Sequence, residues 1–165
     1  MMKLYLDMDG VICDFDSKFA EISPELPDNQ RFRHAVMDHK IFTLLKPMPD
    51  AKELLDYVAC LRHIDIQILT SVGTFDEERG YQAKIQKRAW LDRNNIFYQA
   101  NFVRCKPEKA NFANDMSILI DDSPGCIKPF VAKGGHGILH TDTKSTIEKI
   151  ENIFKEIAKL KAYRS

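Results

Sequence analysis

Short apolar runs alternate with longer amphipathic stretches, and this alternation constrains the fold more than any other feature. KLYLDM (3–8), IDIQILT (64–70) and SILID (117–121) are short and nearly all apolar, the pattern of central parallel strands covered on both faces. NFVRC (101–105) and GILH (137–140) read as two weaker strands. Helical stretches lie between them. DAKELLDYVACLR starts with Asp50 at an N-cap position and Glu53 three residues on, the spacing of a capping box. Ala51, Leu54, Leu55, Val58 and Leu61 then form one apolar stripe. Residues 79–94 read as a helix with Ile85, Ala89 and Trp90 on a common side, and with Trp90 and Tyr81 as packing residues. SPGCIKPFVAKGG reads as a short helix ended by glycines, and Ile147, Ile150, Ile153, Phe154, Ile157 and Leu160 mark a final helix. The expected fold is α/β: a Rossmann-like parallel sheet with helices on both faces and its ligand site beyond the carboxyl ends of the strands.

A chain of 165 residues suits one domain with a well-filled core. The segment 17–49 breaks the strand–helix rhythm. It holds four of the seven prolines, in PELPD and KPMPD, with helical residues between. It is expected to be a small helical cap, inserted after the first strand of a single domain spanning 1–165. Lys and Arg number 24, and so do Asp and Glu, so no bulk positive field exists to hold an extended nucleic acid. The four cysteines are scattered, the N-terminus lacks a secretory pattern, and no apolar run approaches a membrane span. Together these predict free thiols in a soluble cytoplasmic protein with no membrane partner.

The chemistry collects where the strands end. Asp7, Asp9 and Gly10 follow the first strand; Thr70, Ser71 and Gly73 follow the second; Lys106 and Lys109 lie near the third; Asp121, Asp122, Ser123 and Pro124 follow the fourth. Clustered carboxylates repel one another and call for a cation, and hard oxygen ligands select Mg²⁺. One carboxylate can attack a phosphoryl group, and a second can protonate the leaving oxygen and later activate water. The D-x-D spacing fits, because residues two apart on a strand point the same way. Hydroxyls and a lysine can hold the phosphoryl oxygens as charge shifts. Gly10 allows the backbone to turn sharply past a metal. Asp14 and Asp16 are assigned to the start of the first helix, where acids are favourable.

LYLDMDGVICDF, ILTS, a lysine within KPEKANFA, and ILIDDSP resemble, in order, the four motifs of the haloacid dehalogenase-like phosphohydrolases. DMDGVICDF, KPMPDA and AWLDRN are most similar to the 5'(3')-deoxyribonucleotidases and their bacterial and phage relatives. The resemblance implies Asp7 as nucleophile and Mg²⁺ ligand, and Asp9 as general acid/base that also binds Mg²⁺ through its backbone carbonyl. It implies Thr70, helped by Ser71, on the phosphoryl group, and Lys109, with Lys106 as the alternative, as the phosphate-binding lysine. It implies too that Asp121 and Asp122 hold the metal, one directly and the other directly or through water, that Phe15 packs on the substrate, and that Phe42 is a candidate contact for the base. The implied substrate is a nucleoside monophosphate, with another small phosphate ester or the phosphorylated end of a nucleic acid as the alternative. The cap lacks the aromatic-rich stretch of the mammalian nucleotidases; its only aromatics are Phe19, Phe32 and Phe42. Dehalogenase chemistry needs no partner acid, and Asp9 is present. His136 and His140 have an H-x-x-x-H spacing, but the glycines around them argue against the helix a zinc pair would need.

Overall fold

The computed structural model describes all 165 residues. In chain order the elements are β1 (Met2–Leu6), α1 (Phe15–Glu21), α2 (Asp28–Met37), α3 (Ala51–Ala59), β2 (Ile64–Ser71), α4 (Glu77–Arg93), β3 (Gln99–Val103), β4 (Ser117–Asp121), α5 (Pro124–Ala132), β5 (His136–Leu139) and α6 (Thr143–Arg164). Short 3₁₀ turns occupy Ile41–Thr43 and Lys106–Phe112. The five strands form one parallel sheet in the order β3-β2-β1-β4-β5. The strand order therefore reverses at β1, and the crevice at the carboxyl ends of β1 and β4 is the switch point where such sheets bind ligands.

Register explains why the core is where it is. Leu4 pairs with Ile66 and Ile118, and Leu6 with Ile68 and Ile120, so six apolar side chains share one face. They join α3, α4 and α6 in the larger core cluster, while Tyr5, Leu69 and Leu119 meet Cys126 and Phe130 of α5 on the other face. Burying each of these large side chains contributes about 1.5–3 kcal/mol.

Several expectations need correction. β1 stops at Leu6 rather than Met8, because Met8 turns its carbonyl to accept from Val11, Ile12 and Cys13 N–H. β3 starts two residues early, at Gln99, and ends at Val103; β5 is shifted one residue toward the N-terminus. The capping box at Asp50 does not form. Asp50 precedes α3, but its carboxylate accepts from Thr143 N–H (2.7 Å) and its carbonyl from Thr143 Oγ1 (3.0 Å), tying α3 to the start of α6. The buried stripe of α4 is Ala83, Gln86, Lys87, Trp90 and Leu91, whereas Ile85, Ala89 and Tyr81 face solvent.

The polar groups in that stripe have partners in the segment before α3. Gln86 donates to the Val36 carbonyl (2.8 Å) and Trp90 Nε1 to the Leu45 carbonyl (2.8 Å). Arg93 donates to the Thr43 carbonyl. A buried amide or indole N–H left without a partner costs about 1–3 kcal/mol, so these bonds fix the segment against α4.

Candidate active site

The register of the sheet brings the strand-end acids to one level. Asp7 follows Leu6, which is paired with Ile120, and Asp7 N–H donates to the Ile120 carbonyl (3.0 Å); Asp121 is the next residue of β4. Carboxylate oxygens of Asp7, Asp121 and Asp122 all lie within 4.8 Å of one another. Lys109, 1% exposed, bridges two of these acids, with Nζ 2.8 Å from Asp7 Oδ1 and 2.6 Å from Asp121 Oδ2. Lys109 is brought there by the 3₁₀ turn after β3. Lys106, at the start of that turn, is exposed and lines the outer cleft.

These charges reshape one another. Burial alone would lower the Lys109 pKa, but Asp7 and Asp121 outweigh it and hold the ammonium charged. Burial, then repulsion from Asp7, pushes the Asp121 carboxyl upward against the pull of Lys109. Asp122 is pushed up to about 7 by partial desolvation and by repulsion from Asp7 and Asp121. Its side chain still meets solvent, so the two neighbouring acids are the more telling cause. Gly10 adopts φ +80°, and a Cβ there would sit 2.0 Å from Asp122 Oδ2. Only glycine supplies that backbone and leaves room for the carboxylate.

Asp9 stands apart from the triad. Its Oδ2 is 2.8 Å from Lys87 Nζ, and Lys87 also donates to Thr70 Oγ1 (2.7 Å). Lys87 is fully buried and lies 4.5 Å from the centre of the Phe42 ring. Thr70 is buried and does not line the cleft, whereas Ser71 does. The sequence reading missed Lys87. The available signal was its place with Ala83, Trp90 and Leu91 on one face of α4, which is the face buried against the core. Cys13 Sγ is 3.4 Å from Asp9 Oδ1, and burial raises that thiol's pKa. Burial pushes the Cys126 thiol up to about 12. Neither is set up as a nucleophile.

A cleft of about 630 Å³ opens above these groups. Its wall contains Phe15, Phe32 and Phe42, and Phe19 joins them behind. Phe15 stacks on Phe19 and on Phe42, with ring centres 5.1 and 5.6 Å apart, and Phe32 meets all three edge-on. The aromatics of residues 17–49 thus gather into one wall with Phe15. Phe42 is only 3% exposed and backs the wall more than it faces the cleft. Phe32 also closes over Gly73, where a Cβ would lie 3.1 Å from the ring. Asp14 caps α1 by accepting from Ser17 N–H (3.1 Å). Asp16 does more than was expected of it, because it also lines the cleft.

The oxygen donors fit a hard divalent cation. Three carboxylates converge at one point, and the Gly10 turn makes room for the outermost of them. No helix is long and apolar enough to cross a membrane.

The comparisons with known proteins agree with this architecture. The fold resembles a haloacid dehalogenase-like family hydrolase from Xanthomonas campestris (TM-score 0.54, 16% identity, covering 87% of this chain and 82% of that one). It also resembles a hydrolase from Pseudomonas syringae (TM-score 0.54, 12% identity, 90% of each chain). L-2-haloacid dehalogenase from Xanthobacter autotrophicus is similar too (TM-score 0.51, 12% identity, 83% and 76%). At such identities the likeness concerns the fold alone. No curated protein matches the sequence significantly. The family model described as "5' nucleotidase, deoxy (Pyrimidine), cytosolic type C protein" matches residues 22–155, a span that begins after Asp7 and Asp9 and includes Lys87, Lys109, Asp121 and Asp122. The chain belongs to that nucleotidase family, and its fold is similar to that of haloacid dehalogenase-like hydrolases.

Proposed function

We infer that the protein is a Mg²⁺-dependent 5'-nucleotidase that hydrolyses deoxynucleoside monophosphates through a phosphorylated Asp7. The observation that carries this reading is the Lys109-bridged cluster of Asp7, Asp121 and Asp122 at the switch point of the sheet. Family membership and the aromatic wall beside the cluster support a nucleotide substrate.

In this reading Asp7, Asp121, Asp122 and the Asp9 carbonyl hold the metal. When bound, Mg²⁺ offsets repulsion between the attacking carboxylate and the phosphate dianion. An Asp7 oxygen attacks phosphorus, the P–O bond to the nucleoside breaks, and Asp9 gives its proton to the departing oxygen. Lys87 then faces the carboxylate that Asp9 has become and stabilises its charge. Asp9 next takes a proton from water, which attacks the phosphoryl group, releasing phosphate and restoring Asp7. Lys109 and the Ser71 hydroxyl hold phosphoryl oxygens as charge moves. Thr70 orients Lys87 rather than the substrate. The segment 17–49 serves as a cap over the strand ends, anchored by Gln86, Trp90 and Arg93 of α4. A neutral net charge and four unpaired cysteines suit a cytoplasmic enzyme acting on small molecules.

The test is phosphate release from a panel of nucleoside monophosphates and sugar phosphates, with and without Mg²⁺. The reading requires Mg²⁺-dependent turnover and a higher kcat/KM for deoxynucleoside monophosphates than for sugar phosphates. Sugar phosphates turned over equally well would remove the nucleotidase assignment.

A further inference from the structure

The aromatic wall of the cap is one side of the cleft. The cleft is also lined by Phe75, in the loop between β2 and α4. It is 64% exposed and belongs to neither core cluster. Single exposed aromatics are common, and exposure alone would mean nothing. Two independent observations separate this one. Phe75 lines the same cleft as Asp7 and Lys109. Its ring is also backed by a held cation: Arg104, at the end of β3, places its guanidinium carbon 4.9 Å from the ring centre.

The Arg104 side chain is 64% exposed but paired. Glu108 receives its Nε (3.0 Å), its Nη2 (2.6 Å) and its backbone N–H (2.9 Å). Arg104 also lines the cleft. The carboxylate fixes the guanidinium, and the guanidinium fixes one face of the Phe75 ring. Most of the ring's surface remains exposed, in the cleft that Asp7 and Lys109 also line. A flat, apolar, cation-backed surface recognises a planar aromatic group, because stacking returns the ring area now exposed to water.

We propose that Phe75, backed by Arg104 and Glu108, is the stacking wall for the base of the substrate. The pair therefore makes the enzyme selective for phosphate esters whose leaving group carries an aromatic ring. This rests on the nucleotidase reading above and adds to it the residue that reads the base. It also places base recognition on the loop after β2, outside the cap. Phe75 and Arg104 are binding residues; neither touches the reacting atoms.

The experiment compares thymidine 5'-monophosphate with deoxyribose 5-phosphate, which lacks only the base, for the wild type, Phe75→Ala, Phe75→Trp and Arg104→Met. In Phe75→Ala, KM for the nucleotide rises about tenfold or more, with a much smaller change in kcat. The loss in kcat/KM for the base-free ester is at least five times smaller. Phe75→Trp restores nucleotide KM to within about threefold of wild type, and its indole emission is quenched when nucleotide binds. Arg104→Met raises nucleotide KM by a smaller factor than Phe75→Ala. Equal losses on the two substrates in Phe75→Ala, or an unchanged nucleotide KM, would overturn the proposal while leaving the nucleotidase reading in place. A wild type that turns over both esters equally well removes that reading first, and the proposal with it.

Discussion

The floor and the walls of the cleft are built on different principles. The floor is charged, buried and internally paired: Lys109 joins Asp7 to Asp121, and Lys87 joins Asp9 to Thr70. The walls are aromatic and partly exposed, with Phe15, Phe32 and Phe75 among the lining residues. Sheet register sets the floor, since every acid sits at or just past the end of β1 or β4. The walls depend on how a proline-punctuated segment and a loop settle against α4. The contrast teaches that reaction and selectivity are physically separable here. Changes in the floor should alter turnover or folding for every substrate, and changes in the walls should alter preference among substrates.

The most severe expected break is Asp7→Asn. In the proposed reaction it removes the nucleophile and should lower kcat by about 10³-fold or more for every ester, since an amide oxygen is a poor nucleophile. Equal activity in wild type and variant would detach Asp7 from the chemistry. Lys109→Met comes next. It leaves Asp7 and Asp121 buried without their shared cation, and unpaired buried charge of this kind costs about 3–5 kcal/mol. Urea unfolding of the apo-protein measures this, and a midpoint unchanged from wild type would show that the bridge does not support the fold. Asp122→Asn sharpens the comparison in the opposite direction. Removing one of three mutually repelling acids should raise the melting temperature of the apo-protein, and it should also abolish the further rise with Mg²⁺ that the proposed metal site predicts for the wild type. A full Mg²⁺ shift in that variant would take Asp122 out of the metal site.

The smallest effect lies just past the end of β5, where His140 N–H donates to the Asp121 carbonyl (2.8 Å). His140 is buried, with Nδ1 2.7 Å from Thr146 Oγ1. Burial lowers its pKa despite Asp50 and Asp142, so the folded protein keeps it neutral. The unfolded chain takes up a proton near the ordinary histidine value of about 6.5. Stability from this group is therefore fully present above that pH and is lost as pH falls below it. His140→Gln should flatten this part of a pH–melting profile. An equally steep decline in the variant would assign the pH dependence elsewhere.

The sequence revealed these regions unequally, for a physical reason. Asp7, Asp9, Lys109, Asp121 and Asp122 were legible because strand ends converge in a parallel sheet, so position along the chain implied position in space. Lys87 was not legible. Its partner Asp9 lies 78 residues away, and a lysine among polar residues reads as solvated until its helix face is known. The same applies to Gln86, whose partner is a backbone carbonyl of the insertion. Reading α4 through Ile85 and Ala89 chose the wrong face, because its buried face contains two long polar side chains. The four phenylalanines of the first wall are scattered from 15 to 42, and only the fold of the insertion makes them neighbours. The capping box failed because Asp50 has a stronger use, the N–H of Thr143.

Chemical trapping tests the central claim most directly. Borohydride added during turnover of a deoxynucleoside monophosphate reduces an aspartyl-phosphate to homoserine, and peptide mass spectrometry locates the change. The account predicts homoserine at position 7 alone, only when substrate and Mg²⁺ are both present. Steady phosphate release with no modified residue, or with the modification at Asp9, Asp121 or Asp122, would contradict it.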